Sequence, residues 1–187
     1  MNEDIKKAVD VLIAGGLILY PTDTIWGIGC DATNEEAVRR VYELKKRTDS
    51  KALITLLDNP VKLDYYLSDV PEIAWDLIEM SDKPLTIIYD SARNVANNLI
   101  AEDGSLAIRI TEEKFSHELC KRFRKALVST SANISGEASP ANFDEISDEI
   151  KNGVDYIVNY RQDDTTKSKA SSIIKLGKSG EVKIIRE

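Results

Sequence analysis

Short apolar runs recur along this chain at a length that suits one strand each: LILY at 17–20, ALITLL at 52–57, PLTIIY at 84–89, SLAIRI at 105–110 and ALVSTSAN at 126–133. Three more close the sequence: DYIVNY, SSIIKL and VKIIRE. Between them lie stretches with helical spacing. Strand-length runs that alternate with helix-length segments can bury their apolar faces only as a sheet covered by helices. The expectation is therefore an α/β sandwich around one sheet. No linker is long enough to divide the 187 residues, so 1–187 is expected to form a single domain.

The helical stretches carry their own punctuation. Ile5, Ala8, Val9 and Leu12 have helical spacing, and Gly15-Gly16 stops them. Thr33 to Lys46 is the strongest helix, with Thr33 and Glu36 in a capping-box pattern and Ala37, Val38, Val41 and Leu44 facing inward. Asp69 to Met80 reads as a helix with Pro71 near its start and Ile73, Leu77 and Met80 facing in. Glu112 to Lys125 presents Phe115, Leu119 and Phe123 to the core. Phe143, Ile146 and Ile150 mark a last helix that ends near Gly153.

Composition excludes several classes of function. The net charge is −7, whereas a protein that grips nucleic acid through its phosphates is usually basic. Cys30 and Cys120 have no CxxC spacing, so neither a disulfide framework nor a zinc site follows; both read as reduced, buried thiols. The uncharged run Val11 to Tyr20 is too short to span a bilayer and contains two glycines, and the charged N-terminus is no signal peptide. A cytoplasmic protein is expected. The one histidine, His117, sits inside a helical pattern with no nucleophile motif beside it, so histidine-based catalysis and metal sites are unsupported.

Four places carry chemistry. In YPTDTIWGIG the hydroxyls of Thr22 and Thr24 flank Asp23, and Gly27 and Gly29 let a ligand approach the backbone; plain turn chemistry gives the same residues. Lys45, Lys46, Arg47 and Lys51 place four cations within seven residues. The helix dipole accounts for Lys45 and Lys46, but not for Arg47 and Lys51 beyond the helix, where a guanidinium fork and an ammonium suit a polyphosphate. STSANISGEASP, 129–140, follows a strand with Ser129, Thr130, Ser131, Asn133 and Ser135 close together. Such a loop can wrap phosphate or ribose, or be a flexible surface loop. It lacks both the P-loop lysine and the dinucleotide GxGxxG. Arg109, in an alternating strand, is either solvent-facing or a paired, functional charge.

In order, YPTDTIWGIGCDATNEEAVRRVYELKKR…SK, PLTIIY, SLAIRI and STSANISGEASP resemble the YrdC-like L-threonylcarbamoyladenylate synthases, over about 15–140 and more weakly the last strands. The resemblance implies a twisted, mixed β-sheet flanked by helices with an open concave cavity. It implies condensation of L-threonine, bicarbonate or carbon dioxide, and ATP into threonylcarbamoyl-AMP with release of pyrophosphate, Mg2+ accompanying the ATP. It also implies a downstream complex that moves the threonylcarbamoyl group onto the adenosine beside the anticodon of tRNA, so this chain need not bind tRNA itself.

By position, the resemblance assigns Lys45, Arg47 and Lys51 to the triphosphate. Ser105, Ser131, Asn133, Ser139 and Arg186 fall on the ATP side, and Thr22, Thr24, Arg109, Ser129 and Ser171 on the threonine side. No protein ligand for the metal is implied. A nucleotidyl transfer of this kind needs positioning and charge neutralisation more than covalent help, which suits a site of Arg, Lys, Ser and Thr. The sequence departs from the family pattern in three places. Where the family commonly has K-G-R-P-x-x-K-P-L, this chain has Lys46 for the glycine and lacks both prolines; Leu56 replaces a histidine found in many members; and DKPLT stands for P-G-P-L-T. The alternative reading is an RNA-binding module of the same fold without synthase activity.

Overall fold

The computed structural model describes residues 1–47, 53–166, 170–177 and 179–187. In chain order the described elements are α1 (Asn2–Ile13), β1 (Ile18–Tyr20), β2 (Gly27–Gly29), α2 (Glu35–Leu44), β3 (Ile54–Leu57), α3 (Leu63–Tyr66), α4 (Glu72–Glu79), β4 (Leu85–Tyr89), β5 (Leu106–Ile110), α5 (Lys114–Phe123), β6 (Leu127–Ser131), α6 (Asp148–Asn152), β7 (Tyr156–Ile157), β8 (Ser172–Leu176) and β9 (Val182–Arg186). The strands form one mixed sheet in the order β7-β1-β2-β6-β3-β5-β4-β8-β9. β1–β7, β3–β5 and β4–β8 pair in parallel, and the other neighbours are antiparallel. The expected mixed α/β architecture is thus present. No helix among the described residues is long and apolar enough to cross a membrane.

One buried cluster joins α1 (Ile5, Ala8, Leu12) and α5 (Phe115, Leu119, Phe123) to the strand residues Ile28, Leu57, Ile87, Ile108 and Val128. Successive strand side chains alternate between faces, so the opposite face carries Arg109 and its neighbours. Register then sets what meets on that face. Thr86 is paired with Arg109, Ile173 with Thr86, and Arg186 with Ile173. A single row across four strands brings residue 186 toward residue 109. Cys30 and Cys120 are buried free thiols whose pKa values burial raises.

Local expectations are corrected in five places. The cap of α2 is Asn34, whose Oδ1 accepts from the Ala37 amide at 3.1 Å; Thr33 instead gives its hydroxyl to Asp31 Oδ1 at 2.6 Å. In α4 the inward face is Ala74 with half-buried Trp75, Leu77 and Ile78; of the expected stripe Leu77 packs on the core, whereas Ile73 is 36% and Met80 81% exposed. The last helix begins only at Asp148, because Ser147 caps it and Phe143 leaves the helical path to pack on the Trp26 ring at 4.8 Å. DYIVNY supplies only the two-residue β7. The GIG segment, expected as turn, is a strand: a Cβ on Gly29 would lie 2.7 Å from Tyr20 Cε1 and 3.0 Å from the Val128 carbonyl, so only glycine lets β2 lie this close to its neighbours.

Candidate active site

A cavity of about 200 Å³ opens on the Arg109 face. Its lining brings together Thr22, Thr24, Arg47, Arg109, Ser129, Ser131, Ser139, Ser171 and Arg186. Trp26, Gly27, Leu53, Ile54 and Ile173 add an apolar part. Three guanidinium groups therefore line a cavity whose described lining contains no carboxylate, in a chain of net charge −7. That arrangement favours an anion by focusing positive potential into a concave surface.

Each side chain arrives by a local rule. Arg47 follows a Schellman turn: Lys46 takes a positive φ of 50°, its amide donates to the Glu43 carbonyl at 2.9 Å, and the Arg47 amide donates to the Tyr42 carbonyl at 2.9 Å. This closes α2 and turns Arg47 into the cavity. It also explains the glycine that the resembling family has at the Lys46 position, since a left-handed residue costs glycine least.

Thr22 and Thr24 form a small hydroxyl relay. The Thr22 hydroxyl donates to the Ile25 carbonyl at 2.7 Å. In its 3.1 Å contact with Thr24 Oγ1 it therefore accepts, and Thr24 is the donor. The Thr24 oxygen keeps lone pairs to offer a ligand donor. On the far side, Arg186 donates through Nε and Nη2 to the Ser171 carbonyl at 2.9 and 2.7 Å, and the Ser171 hydroxyl meets Thr86 Oγ1 at 2.8 Å. Burial and the nearby Arg109 lower the pKa of Arg186.

Arg109 is buried, with its side chain 3% exposed, so it is not the solvent-facing charge that alternation alone permits. Its Nη2 lies 2.9 Å from Asp23 Oδ1. Asp23 Oδ1 and Arg109 Nε are both buried without a hydrogen-bond partner, so the contact is an ion pair that leaves Nε unused. A buried guanidinium with five donors and one ion-pair partner has capacity left for a second anion. Burial raises the Asp23 pKa, and Arg109 opposes that rise.

Three expected residues stand apart from the lining, and a fourth is undescribed. Lys45 is 2% exposed and no part of the lining, its Nζ donating to the carbonyls of Ser131 and Asn133 at 2.6 Å each. Asn133 uses its Nδ2 within the loop, on the carbonyls of Ile134 and Glu137. Ser105 shares the Arg109 face of the β5 run but gives its hydroxyl to Asp103 Oδ1 at 2.6 Å. Lys51 lies outside the described residues. Leu56, paired with Arg109 across β3 and β5, is fully buried and no part of the lining. Sequence reasoning missed Trp26 in the lining and, although it placed Asp23 in the candidate turn, the pairing of Asp23 with Arg109. Trp26 sits in the same PTDTIWG turn, and the pairing of Asp23 with Arg109 had no local signal, since Asp103, Glu112 and Glu113 are all nearer in sequence.

Such a sheet, with a cationic, hydroxyl-rich hollow on one face, defines a domain built to hold a small anionic ligand. The family model Sua5_yciO_yrdC, described as "Telomere recombination", matches residues 10–187, and the chain belongs to that family. A threonylcarbamoyl-AMP synthase of Pseudoalteromonas translucida is 33% identical over 157 residues, covering 82% of this chain and 84% of that protein. The crystal structure of YciO from E. coli superposes with a TM-score of 0.86 at 22% identity, over 100% of this chain and 90% of that one. Sua5 of P. abyssi, solved with L-threonine, superposes at 0.82 and 24% identity over 92% of this chain; the chain spans half, 50%, of its length.

Proposed function

We propose that this chain is an L-threonylcarbamoyladenylate synthase and a nucleotidyltransferase: it condenses L-threonine, bicarbonate or carbon dioxide, and ATP into threonylcarbamoyl-AMP and pyrophosphate. One observation carries the reading: three guanidinium groups and a hydroxyl cluster meet in a single hollow whose described lining holds no carboxylate. The relative from Pseudoalteromonas translucida supports it by name, and so does the L-threonine bound to the P. abyssi fold neighbour.

On this reading Arg109 receives the threonine carboxylate and Thr24 its amino or hydroxyl group. Ser129 and Ser171 line the same end. Arg47, with Lys51 from the undescribed segment, neutralises the departing pyrophosphate, and Ser131, Ser139 and Arg186 seat the nucleotide. The threonine amine adds to carbon dioxide, or to bicarbonate with loss of water, and gives up a proton to form the carbamate; a carbamate oxygen then attacks the α-phosphorus, the bond to the bridging oxygen of the β-phosphate breaks, and the electron pair leaves on pyrophosphate. The protein contributes alignment and charge, which are most of what such a transfer needs. Lys45 and Asn133 act through the loop they hold, and Ser105 lies too deep in its own hydrogen bond to serve the nucleotide directly. Magnesium would accompany the ATP and supply charge neutralisation on its phosphates. The whole of 1–187 acts as one domain in the cytoplasm, and the product passes to a tRNA-modifying complex.

The test is pyrophosphate release from purified protein given ATP, bicarbonate and single amino acids. Threonine-dependent release is the expected result; release that no amino acid stimulates overturns the reading.

A further inference from the structure

Arg109 stands in a wall between two hollows. It lines the cationic cavity, whereas its partner Asp23 lines the adjoining one together with Asp82, Lys83, Glu112 and Glu113. The ion pair at 2.9 Å crosses that wall, with the two side chains only 3% and 12% exposed. Among the described residues Asp23 is the one ion-pair partner of this guanidinium, and its Oδ1 lies closest to Nη2. Asp23 is itself fixed in a tight turn: Thr22 and Thr24 on either side are buried and joined at 3.1 Å, and Arg161 donates to the Thr22 carbonyl at 3.2 Å. A guanidinium on a long chain has many rotamers, and an anion placed behind one of its nitrogens selects among them.

We propose that Asp23 is a positioning residue: its carboxylate, set in the wall behind the cavity, holds the Arg109 guanidinium in the orientation that receives the α-carboxylate of the amino-acid substrate. The identity of that ligand rests on the synthase reading; the brace itself does not. Asp23 does not touch the substrate. Its effect falls on the amino acid and spares the nucleotide, because the contacts that hold Arg186 and turn Arg47 do not pass through it. The opposite result is equally well defined. If Asp23 served only to neutralise Arg109, removing its charge would leave a freer cation and tighten carboxylate binding.

The experiment compares the full chain with Asp23→Asn and Asp23→Glu. Two readouts are taken: steady-state KM for L-threonine and for ATP, and the order of the Arg109 Nε–H group by NMR, its signal identified by its disappearance in Arg109→Lys. In Asp23→Asn the Arg109 signal is expected to become mobile, the threonine KM to rise about tenfold, the scale of one charge-assisted contact, and the ATP KM to stay within about twofold. Asp23→Glu, which restores the charge one methylene away, is expected to recover part of the threonine affinity. An unchanged or lowered threonine KM in Asp23→Asn overturns the proposal, as does an equal loss for threonine and ATP. If the wild-type protein uses no amino acid at all, the synthase reading fails, and the Arg109 signal still decides the brace: unchanged order in both variants refutes it.

Discussion

The Nζ of Lys45 donates to the main-chain carbonyl of Ser131 at 2.6 Å, tying the last turn of α2 to a loop 86 residues away. A second bond, also 2.6 Å, reaches the Asn133 carbonyl, and the Ser135 amide returns to the Lys45 carbonyl at 2.8 Å. Lys45 thus builds the loop that carries Ser131 and Ser139 instead of lining the cavity.

Lys45→Met is therefore expected to weaken the fold and the loop together. Stranding carbonyls that Lys45 satisfied costs about 1–3 kcal/mol for each buried group, so an overall loss near ~2 kcal/mol is expected by denaturant titration, with a higher KM for ATP. Burial, and then the charge of Arg47, lower the Lys45 pKa to about 8 from 10.5. Between those values the unfolded chain holds a proton that the folded chain has released. This residue's contribution is therefore fully present above about 10.5 and is lost as pH falls toward about 8. The difference in stability between wild type and Lys45→Met should rise with pH across that window and be flat below it. A difference that does not vary with pH would contradict the buried lysine.

Lys46 holds a left-handed backbone conformation at φ 50° where a side chain is disfavoured. Its ammonium pairs with Glu149 at 2.7 Å, both side chains more than half exposed, and exposed pairs add little. Lys46→Gly is expected to raise the melting temperature slightly and leave turnover unchanged, since the Arg47 amide keeps its hydrogen bond to the Tyr42 carbonyl. A clear drop in melting temperature would mean that the ion pair, not the backbone, holds this turn.

Thr24→Val removes a hydroxyl that donates to Thr22 and leaves the shape of the turn. Only the ligand acceptor and one relay bond are lost. The threonine KM is expected to rise up to about tenfold with the ATP KM within about twofold, the signature of a contact to one substrate. Initial rates at varied threonine and fixed ATP, and the converse, decide this; an effect on ATP alone would place the hydroxyl on the nucleotide.

Much of the fold was legible in the sequence because its signals are local. β1, β3, β4, β5 and β6 lie inside the apolar runs, and α1, α2 and α5 inside the periodic stretches. The misreadings share a physical cause. β2 looked like turn because two of its three residues are glycine, and Gly29 is there for Tyr20 and Val128 on neighbouring strands. The helix expected from Phe143 was shortened by a partner, Trp26, more than a hundred residues away. In the site, a cationic KKR cluster was visible, but which of its members would turn inward was not. Lys45 and Arg47 are two residues apart, and the fate of each depends on where the 131–139 loop passes. Likewise, whether Arg109 lies buried depends on Asp23 standing across the wall, and the approach of Arg186 depends on three successive strand registers that no local pattern encodes.

Those registers give the last prediction. Arg47, Arg109 and Arg186 line one cavity whose described lining holds no carboxylate, which focuses positive potential into it. Inorganic pyrophosphate, the expected product, should therefore stabilise the folded protein by itself. A ligand at a hundred times its Kd adds about 2.7 kcal/mol to a fold that alone binds it, enough to raise the melting temperature by several degrees. Arg47→Ala should lower pyrophosphate affinity by about tenfold, the scale of one charge-assisted contact, and cut pyrophosphate release in the synthase assay similarly. Thr24→Val should keep the full thermal shift. Thermal melts of the three proteins over a pyrophosphate series at fixed ionic strength read this directly. Equal shifts in wild type and Arg47→Ala would show that the anion lodges elsewhere, because no group outside the cavity should distinguish the two.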